Sequence, residues 1–336
     1  ALGDVDADGD LDQVVTFEED PSFGLMLNNG MGRFGAPISY PLAGANGVVA
    51  VADLDGDGAD DVVVAAQFDR AISVLRGTAG GVLQGPQRYR IPRYADDLAI
   101  ADMNGDGRLD VVAASRASGG RLYVLLGQTG GRLGSAQITT VDLAPSRLAV
   151  GDVTGDGIPD AVTAGLSDYV NLAPGRGDGT FGPETTVLVE IGVFEVALFD
   201  MDRDGRLDLV AGKNGDIGRA TLLVLRGDGA GGFVQVSRQT PAETSAFVRE
   251  LAIADLNGDG LLDVSVATQA FSVDGGVNVL YGTGGGRLST ASVLVGDGDT
   301  FALTAGDVDG DGDVDLATAF SAQSSTRVLV NLGTRP

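Results

Sequence analysis

Short apolar runs and glycine-rich or acidic punctuation alternate along this whole chain. Runs such as Gln13–Phe17 (QVVTF), Val62–Ala66 (VVVAA), Val111–Ser115 (VVAAS) and Val264–Thr268 (VSVAT) are rich in β-branched residues and too short for helices. Each therefore predicts a strand. A small apolar strand precedes each of several acidic stretches, as at Val48–Ala52 and Leu251–Ala254. A third run follows, read as AISVLRG (71–77), RLYVLLG (121–127), TLLVLRG (221–227), VNVLYG (277–282) and RVLVNLG (327–333). After a glycine-rich turn comes a fourth run, entered through Phe34-Gly35-Ala36-Pro37, Phe181-Gly182-Pro183, Phe233 or Leu288.

The acidic stretches between first and second runs share one nine-residue phrase: Asp, any residue, an oxygen-bearing residue, any residue, Asp, Gly, two residues, Asp. Its seven copies begin at Asp4, Asp53, Asp102, Asp152, Asp200, Asp255 and Asp307, at intervals of 49, 49, 50, 48, 55 and 52 residues. Four short strands per fifty residues, repeated seven times, predict an all-β fold, a seven-bladed β-propeller of four-stranded antiparallel blades. One propeller accounts for residues 1–336. From Asp307 the last unit has only 30 residues, so its outer strand is expected to be missing from this sequence, which reads as a fragment of a longer chain with flanking domains.

The phrase has the chemistry of a calcium loop. Calcium takes six to eight oxygen ligands, and alternate side chains of a tight loop point at one centre. Positions 1, 3, 5 and 9, with the position-7 carbonyl, supply the candidates. In chain order these are Asp4, Asp6, Asp8, Asp10 and Asp12; Asp53, Asp55, Asp57, Ala59 and Asp61; Asp102, Asn104, Asp106, Arg108 and Asp110; then Asp152, Thr154, Asp156, Ile158 and Asp160. The remaining copies offer Asp200, Asp202, Asp204, Arg206 and Asp208; Asp255, Asn257, Asp259, Leu261 and Asp263; and Asp307, Asp309, Asp311, Asp313 and Asp315. Up to seven calcium ions are expected, held less strongly where Asn104, Thr154 and Asn257 replace a carboxylate.

An EF-hand is excluded, because it needs a bidentate Glu at position 12 and flanking helices. Position 12 here is Val15, Val64, Ala113, Thr163, Ala211, Val266 and Thr318.

The Asp-rich loops together with the Phe-Gly and Ala-Pro pieces resemble FG-GAP or VCBS repeats across the whole chain. The resemblance extends to integrin α-subunit propeller domains and fungal FG-GAP propeller lectins. It implies a calcium loop between the first two strands of each blade and a ligand face at the opposite ends of the strands. The chain differs from those lectins in having no Trp. On that opposite face the resemblance places the loops Phe17–Phe23, Gln67–Arg70, Lys213–Arg219 and Gln269–Gly275, and the segment Arg88-Tyr89-Arg90-Ile91-Pro92-Arg93-Tyr94. This segment is the one dense basic and aromatic cluster of the chain. Arg88, Arg90 and Arg93 are suited to bind carboxylates, and Tyr89 and Tyr94 to stack on sugars or peptides. A second reading packs the two tyrosines between blades and pairs the arginines with Asp96 and Asp97.

Charge and composition narrow the function. Of 47 acidic residues, 25 stand at positions 1, 3, 5 and 9 of the loops, so most of the net charge of −25 belongs to the expected metal sites. The remainder disfavours nucleic acid and anionic membranes as partners. No apolar run approaches the roughly 18 residues that span a bilayer. Cysteine and histidine are absent, and Lys213 is the sole lysine, which argues against most nucleophile and base pairs. The expectation is a non-catalytic extracellular or cell-surface binding or adhesion module for a glycan or protein. Its alternative is a polysaccharide lyase or hydrolase on the same scaffold. Arg176-Gly177-Asp178 and Arg226-Gly227-Asp228 are read as turns, not as adhesion tripeptides.

Overall fold

A computed structural model describes the chain except residues 18–19, 43, 45–46, 67–68, 118, 142–143, 166–167, 191, 215–219, 242–245, 271–274, 291, 296–299, 321–324, 330 and 332–336. It is an all-β seven-bladed propeller built from antiparallel sheets in which sequential strands are neighbours. The first sheet holds Leu2–Gly3, Asp12–Thr16, Ser22–Met26 and Ile38–Pro41. The second holds Gly47–Ala52, Asp61–Ala66, Ala71–Arg76 and Gln84–Arg90, and the third Asp97–Ala101, Asp110–Ser115, Arg121–Leu125 and Gln137–Thr140. The fourth and fifth begin at Pro145–Gly151 and Val193–Phe199, and the sixth ends at Ser292–Val295. The seventh has three strands among the described residues, Thr300–Gly306, Asp315–Phe320 and Ser325–Leu329, as the short last repeat predicts.

The chain groups into two compact units. The first comprises residues 1–150, 173–184 and 308–310, and the second residues 151–172, 185–307 and 311–336. In the first unit, alternation along one strand explains why the second-strand runs are apolar at every position. Val62 and Val64 join a core with Val14, Phe23 and Leu25, while Val63 and Ala65 face the other way, onto Val111, Ala113, Tyr123 and Leu125. A strand covered on both sides needs no polar face. The second unit repeats the arrangement, with Val264 and Val266 packed on Val210, Leu222 and Val224, and Ala267 packed on Val277, Leu303 and Leu316. Outer strands such as Gln84–Arg90 are mostly exposed and correspondingly polar.

Each acidic phrase joins a first strand to a second, as in Gly47–Ala52 to Asp61–Ala66 and Asp97–Ala101 to Asp110–Ser115. No helix of the described residues is long and apolar enough to cross a membrane.

Candidate metal centres and ligand-binding strand ends

The seven loops are built by their own aspartates. The position-1 carboxylate accepts a hydrogen bond from the backbone N–H of the position-6 glycine in every copy, at 3.0 Å for Gly9 to Asp4 and 2.7 Å for Gly260 to Asp255. The position-5 carboxylate accepts the N–H of position 7 in every copy, from Asp10 to Asp8 at 3.0 Å through to Asp313 to Asp311 at 2.9 Å. These bonds curl the chain so tightly that positions 4 and 6 both take positive φ. Five of the position-4 residues are glycine, but Ala7 (φ 59°) and Arg203 (φ 62°) are held in the same left-handed conformation.

Position 9 has a different place. Asp12, Asp61, Asp110, Asp160, Asp208, Asp263 and Asp315 are at most 1% exposed, at the start of each second strand. In blade three, Oδ2 of Asp110 accepts the Met103 N–H at 2.8 Å and Oδ1 accepts the Gly127 N–H at 2.6 Å. The same pair of bonds reaches Asp12 from Val5 and Asn28, Asp208 from Met201 and Gly227, and Asp263 from Leu256 and Gly282. One side chain thus fastens the metal loop to the end of the third strand. Burial pushes the Asp12 carboxyl up to about 6 against these two donors, and raises Asp110, Asp208 and Asp263 for the same reason. Each oxygen retains a second lone pair, so the staple does not prevent it from meeting an ion.

The donors fit a hard cation. Carboxylate oxygens of Asp4, Asp6 and Asp8 lie within 4.8 Å of one another, as do those of Asp53, Asp55 and Asp57, of Asp200, Asp202 and Asp208, and of Asp307, Asp309 and Asp311. These are the four loops with a carboxylate at position 3. More telling are buried oxygens with no hydrogen-bond partner: Asp6 Oδ1, Asp202 Oδ1, Asp255 Oδ1 and Thr154 Oγ1. A buried polar oxygen left unpaired costs roughly 1–3 kcal/mol. Their placement inside the loops is what a bound cation explains. Burial, then the charges of Asp8 and Asp4, raise Asp6 above the usual carboxylate range.

Several arginines lean into the loops. Arg108 and Arg206, at position 7, each pair with the position-5 carboxylate of their own loop, Asp106 and Asp204. Arg76, at the end of the third strand of blade two, pairs with Asp61, stands 3.8 Å from Asp55 and donates to the Gly131 carbonyl. Arg226 holds the same position in blade five, 3.9 Å from Asp202. The corresponding residues in blades one and three are Leu27 and Leu126. No sequence pattern flagged Arg76 and Arg226 as neighbours of the loops.

At the other ends of the strands the basic and aromatic cluster separates. Arg88 and Arg90 line a cavity of about 310 Å3 with Asp69, Arg70 and Ala71. Arg88 pairs there with Asp69 at 2.5 Å rather than with Asp96 or Asp97. Asp96 instead pairs with Arg116 at 2.9 Å, and Asp97 accepts the Leu148 N–H at 2.8 Å beside Arg147. Tyr89 packs on the core shared by the second and third blades, as expected of an inter-blade residue, and its hydroxyl donates to Gln87. Arg93 lies elsewhere, in a cavity of about 320 Å3 lined also by Pro92, Ala117, Arg121, Tyr123 and Ile138. Tyr94 is not among the lining residues of either cavity.

Tyr123 was legible only as part of an apolar strand run. It is fully buried, and its Oη makes no hydrogen bond; the Ser115 hydroxyl and the Arg93 backbone lie close without meeting bonding geometry. Burial pushes the phenol up, opposed by Ser115, Arg121 and Arg93. Of the other loops expected at this end, residues 18–19, 67–68, 215–219 and 271–274 lie outside the described residues. Arg176–Asp178 forms a turn closed by Arg176 N–H to the Thr180 carbonyl at 3.1 Å, whereas Arg226 and Gly227 end a strand and only Asp228 begins the turn.

The FG-GAP-like repeat matches six overlapping stretches, residues 4–64, 53–113, 102–163, 152–211, 200–266 and 255–318. No curated protein sequence matches the chain. Among solved structures, a lectin from Agrocybe aegerita that recognises non-reducing terminal N-acetylglucosamine is similar, with a TM-score of 0.60, 20% identity, and coverage of 96% of this chain and 90% of that one. The BP39L lectin of Burkholderia pseudomallei aligns with a TM-score of 0.67 at 17% identity over 99% of this chain and 94% of that one. BBS1N, solved in complex with ARL6DN, aligns with a TM-score of 0.68 at 14% identity over 98% and 90%. At these identities the likeness is one of fold.

Proposed function

The chain belongs to the FG-GAP-like repeat family, and from that membership we propose that it is a calcium-stabilised extracellular binding module, without catalysis, that presents the strand ends remote from its metal loops to a glycan. The observation that carries the metal half is the set of orphaned buried oxygens on Asp6, Thr154, Asp202 and Asp255. Positions 1, 3 and 5 would hold each ion, with position 9 beneath it; the ion would supply charge neutralisation between strands. The chain's own residues shape the loop through backbone donors to those carboxylates. The ligand half is supported by two cavities lined by arginine at the opposite strand ends, and by the glycan recognised by one lectin of the same fold. A glycan is favoured over a protein partner because both features are compact pockets, whereas a stable protein interface buries about 800 Å2 on each side.

The test is a glycan array probed with the full chain in millimolar calcium and again in EDTA, with product analysis of every bound glycan. Binding without turnover, weakened by EDTA, is the expected result. Cleavage of any polysaccharide would replace the module with an enzyme, and binding equal in both buffers would separate the ligand site from the metal.

A further inference from the structure

The cavity beneath Arg93 has features that a generic surface dimple lacks. Its floor carries a phenol that is fully buried and has no partner within the protein. Burying a hydroxyl unpaired is unfavourable, and the deficit is removed when a ligand atom completes the bond. Two arginines, Arg93 and Arg121, share the lining with that phenol, and among the described residues no acidic side chain does. In a chain of net charge −25 such a pocket is locally of opposite sign to the whole.

Arg121 is also fixed in place. Its Nη1 donates to the carbonyls of Gly119 at 3.2 Å and Gly120 at 2.6 Å, which orients the guanidinium plane before any ligand arrives. The rest of the fork is left to a planar anion, for which a guanidinium offers paired parallel donors. Pro92, Ala117 and the half-exposed Ile138 supply an apolar wall suited to the C–H face of a pyranose ring. The volume, about 320 Å3, lies at the small end of ligand pockets and holds one or two sugar units rather than a long oligomer.

We infer that the pocket of Arg93, Arg121 and Tyr123 binds one carboxylate-bearing sugar residue, a uronic or sialic acid, with the arginines on the carboxylate and the Tyr123 hydroxyl on a ring hydroxyl. This inference rests on the glycan-binding reading above and adds its chemical class. A neutral sugar would leave both guanidinium groups without a counter-charge, and an acidic peptide would not use the apolar wall as a ring does.

The test titrates calcium-loaded full chain with glucuronic acid, N-acetylneuraminic acid, N-acetylglucosamine and N-acetylglutamate by saturation-transfer NMR. Either acidic sugar is expected to bind at least tenfold more tightly than N-acetylglucosamine and N-acetylglutamate. Arg93→Gln and Arg121→Gln should each weaken it about tenfold, and the loss should be reproduced by raising ionic strength. Tyr123→Phe should weaken binding while leaving the melting temperature unchanged or higher, because its hydroxyl has no partner to lose.

Equal binding of N-acetylglutamate would overturn the sugar, and equal binding of N-acetylglucosamine would overturn the carboxylate. A fall in melting temperature for Tyr123→Phe would show the phenol to be satisfied within the fold. Binding of neutral glycans on the array, unaffected by all three variants, would overturn this pocket and leave the module reading standing. The absence of any glycan binding would remove both.

Discussion

The side-chain amide of Asn28 donates to the Val308 carbonyl at 2.7 Å, joining residues 280 positions apart. The same amide donates to the Leu11 carbonyl at 3.1 Å, while the Asn28 backbone N–H donates to Asp12. Asn331 repeats the pattern with Leu256, Val314 and Asp315. In the other blades this column holds glycine, and a Cβ at Gly77, Gly127 or Gly227 would stand 2.2–2.3 Å from the carbonyl of the position before the buried aspartate. Asparagine bonds a carbonyl that glycine merely lets pass. Asn28→Ala removes the two amide donations and the bond that the Asn28 Oδ1 accepts from the Asn29 N–H at 2.8 Å, each worth roughly 1 kcal/mol, so a loss of about 2–3 kcal/mol is expected in urea unfolding. An unchanged unfolding midpoint would mean that water replaces the amide at no cost.

Substitutions at positions 3 and 9 should differ in whether their cost depends on calcium. Asp110→Asn places amide hydrogens against backbone N–H donors in a site 0% exposed, and a loss of about 2–4 kcal/mol is expected both with calcium and in EDTA. Asp6→Asn should cost little in EDTA and remove one ion's stabilisation in calcium. With a dissociation constant of about 10⁻⁴ M, millimolar calcium contributes roughly 1.4 kcal/mol per site. EDTA should therefore lower the melting temperature of the unmodified chain markedly. Identical melting curves with and without EDTA would remove calcium from the account.

Arg76 acts as an internal cation for the second loop. Arg76→Leu installs the residue found at this point in blade one, Leu27, and leaves Asp61 buried without its partner. The expected result is lower stability in EDTA, by about 3 kcal/mol as for a broken buried pair, together with a roughly tenfold gain in calcium affinity at this loop as Asp55 and Asp61 are released. Terbium luminescence titration would report the affinity. Weaker terbium binding by the variant would show that the arginine organises the loop instead of competing for it.

Asp97 should make stability fall as pH rises through mildly acidic values. Burial raises its carboxyl from 3.8 to about 6, against Arg147 and the Leu148 and Leu98 N–H groups. The fold thus holds the proton more tightly than the unfolded chain does. The stabilisation is complete below about 3.8 and is lost as pH climbs through about 6. Linkage sets the total at no more than about 3 kcal/mol. The stability of the natural chain relative to Asp97→Asn should fall from pH 4 to pH 7 in EDTA, and a constant difference would contradict this assignment.

Much of this was written in local sequence and some was not. The strands and the loop between first and second strands follow from β-branched runs and a fixed acidic spacing. The separation of the basic cluster was also implicit: along Gln84–Arg90, Arg88 and Arg90 share one face and Tyr89 takes the other, by the two-residue period of a strand. The partner of Arg88 was hidden, because Asp69 reaches it through the hairpin register of Ala71–Arg76 against Gln84–Arg90. The buried role of position 9 was equally hidden, since its donors at Asn28 or Gly127 lie 16 or 17 residues downstream. Tyr123 reads as one more apolar residue until its hydroxyl is seen to have no partner.

The backbone amides that shape each loop are satisfied by aspartate side chains, Gly9 by Asp4 and Asp10 by Asp8 in the first copy. The receptacle is therefore assembled before its occupant arrives. An ion entering such a loop selects a shape already present, and an ion leaving it need not unravel the strands it joined. On the calcium reading proposed above, falling calcium should accordingly loosen the protein gradually, loop by loop, rather than in a single cooperative step.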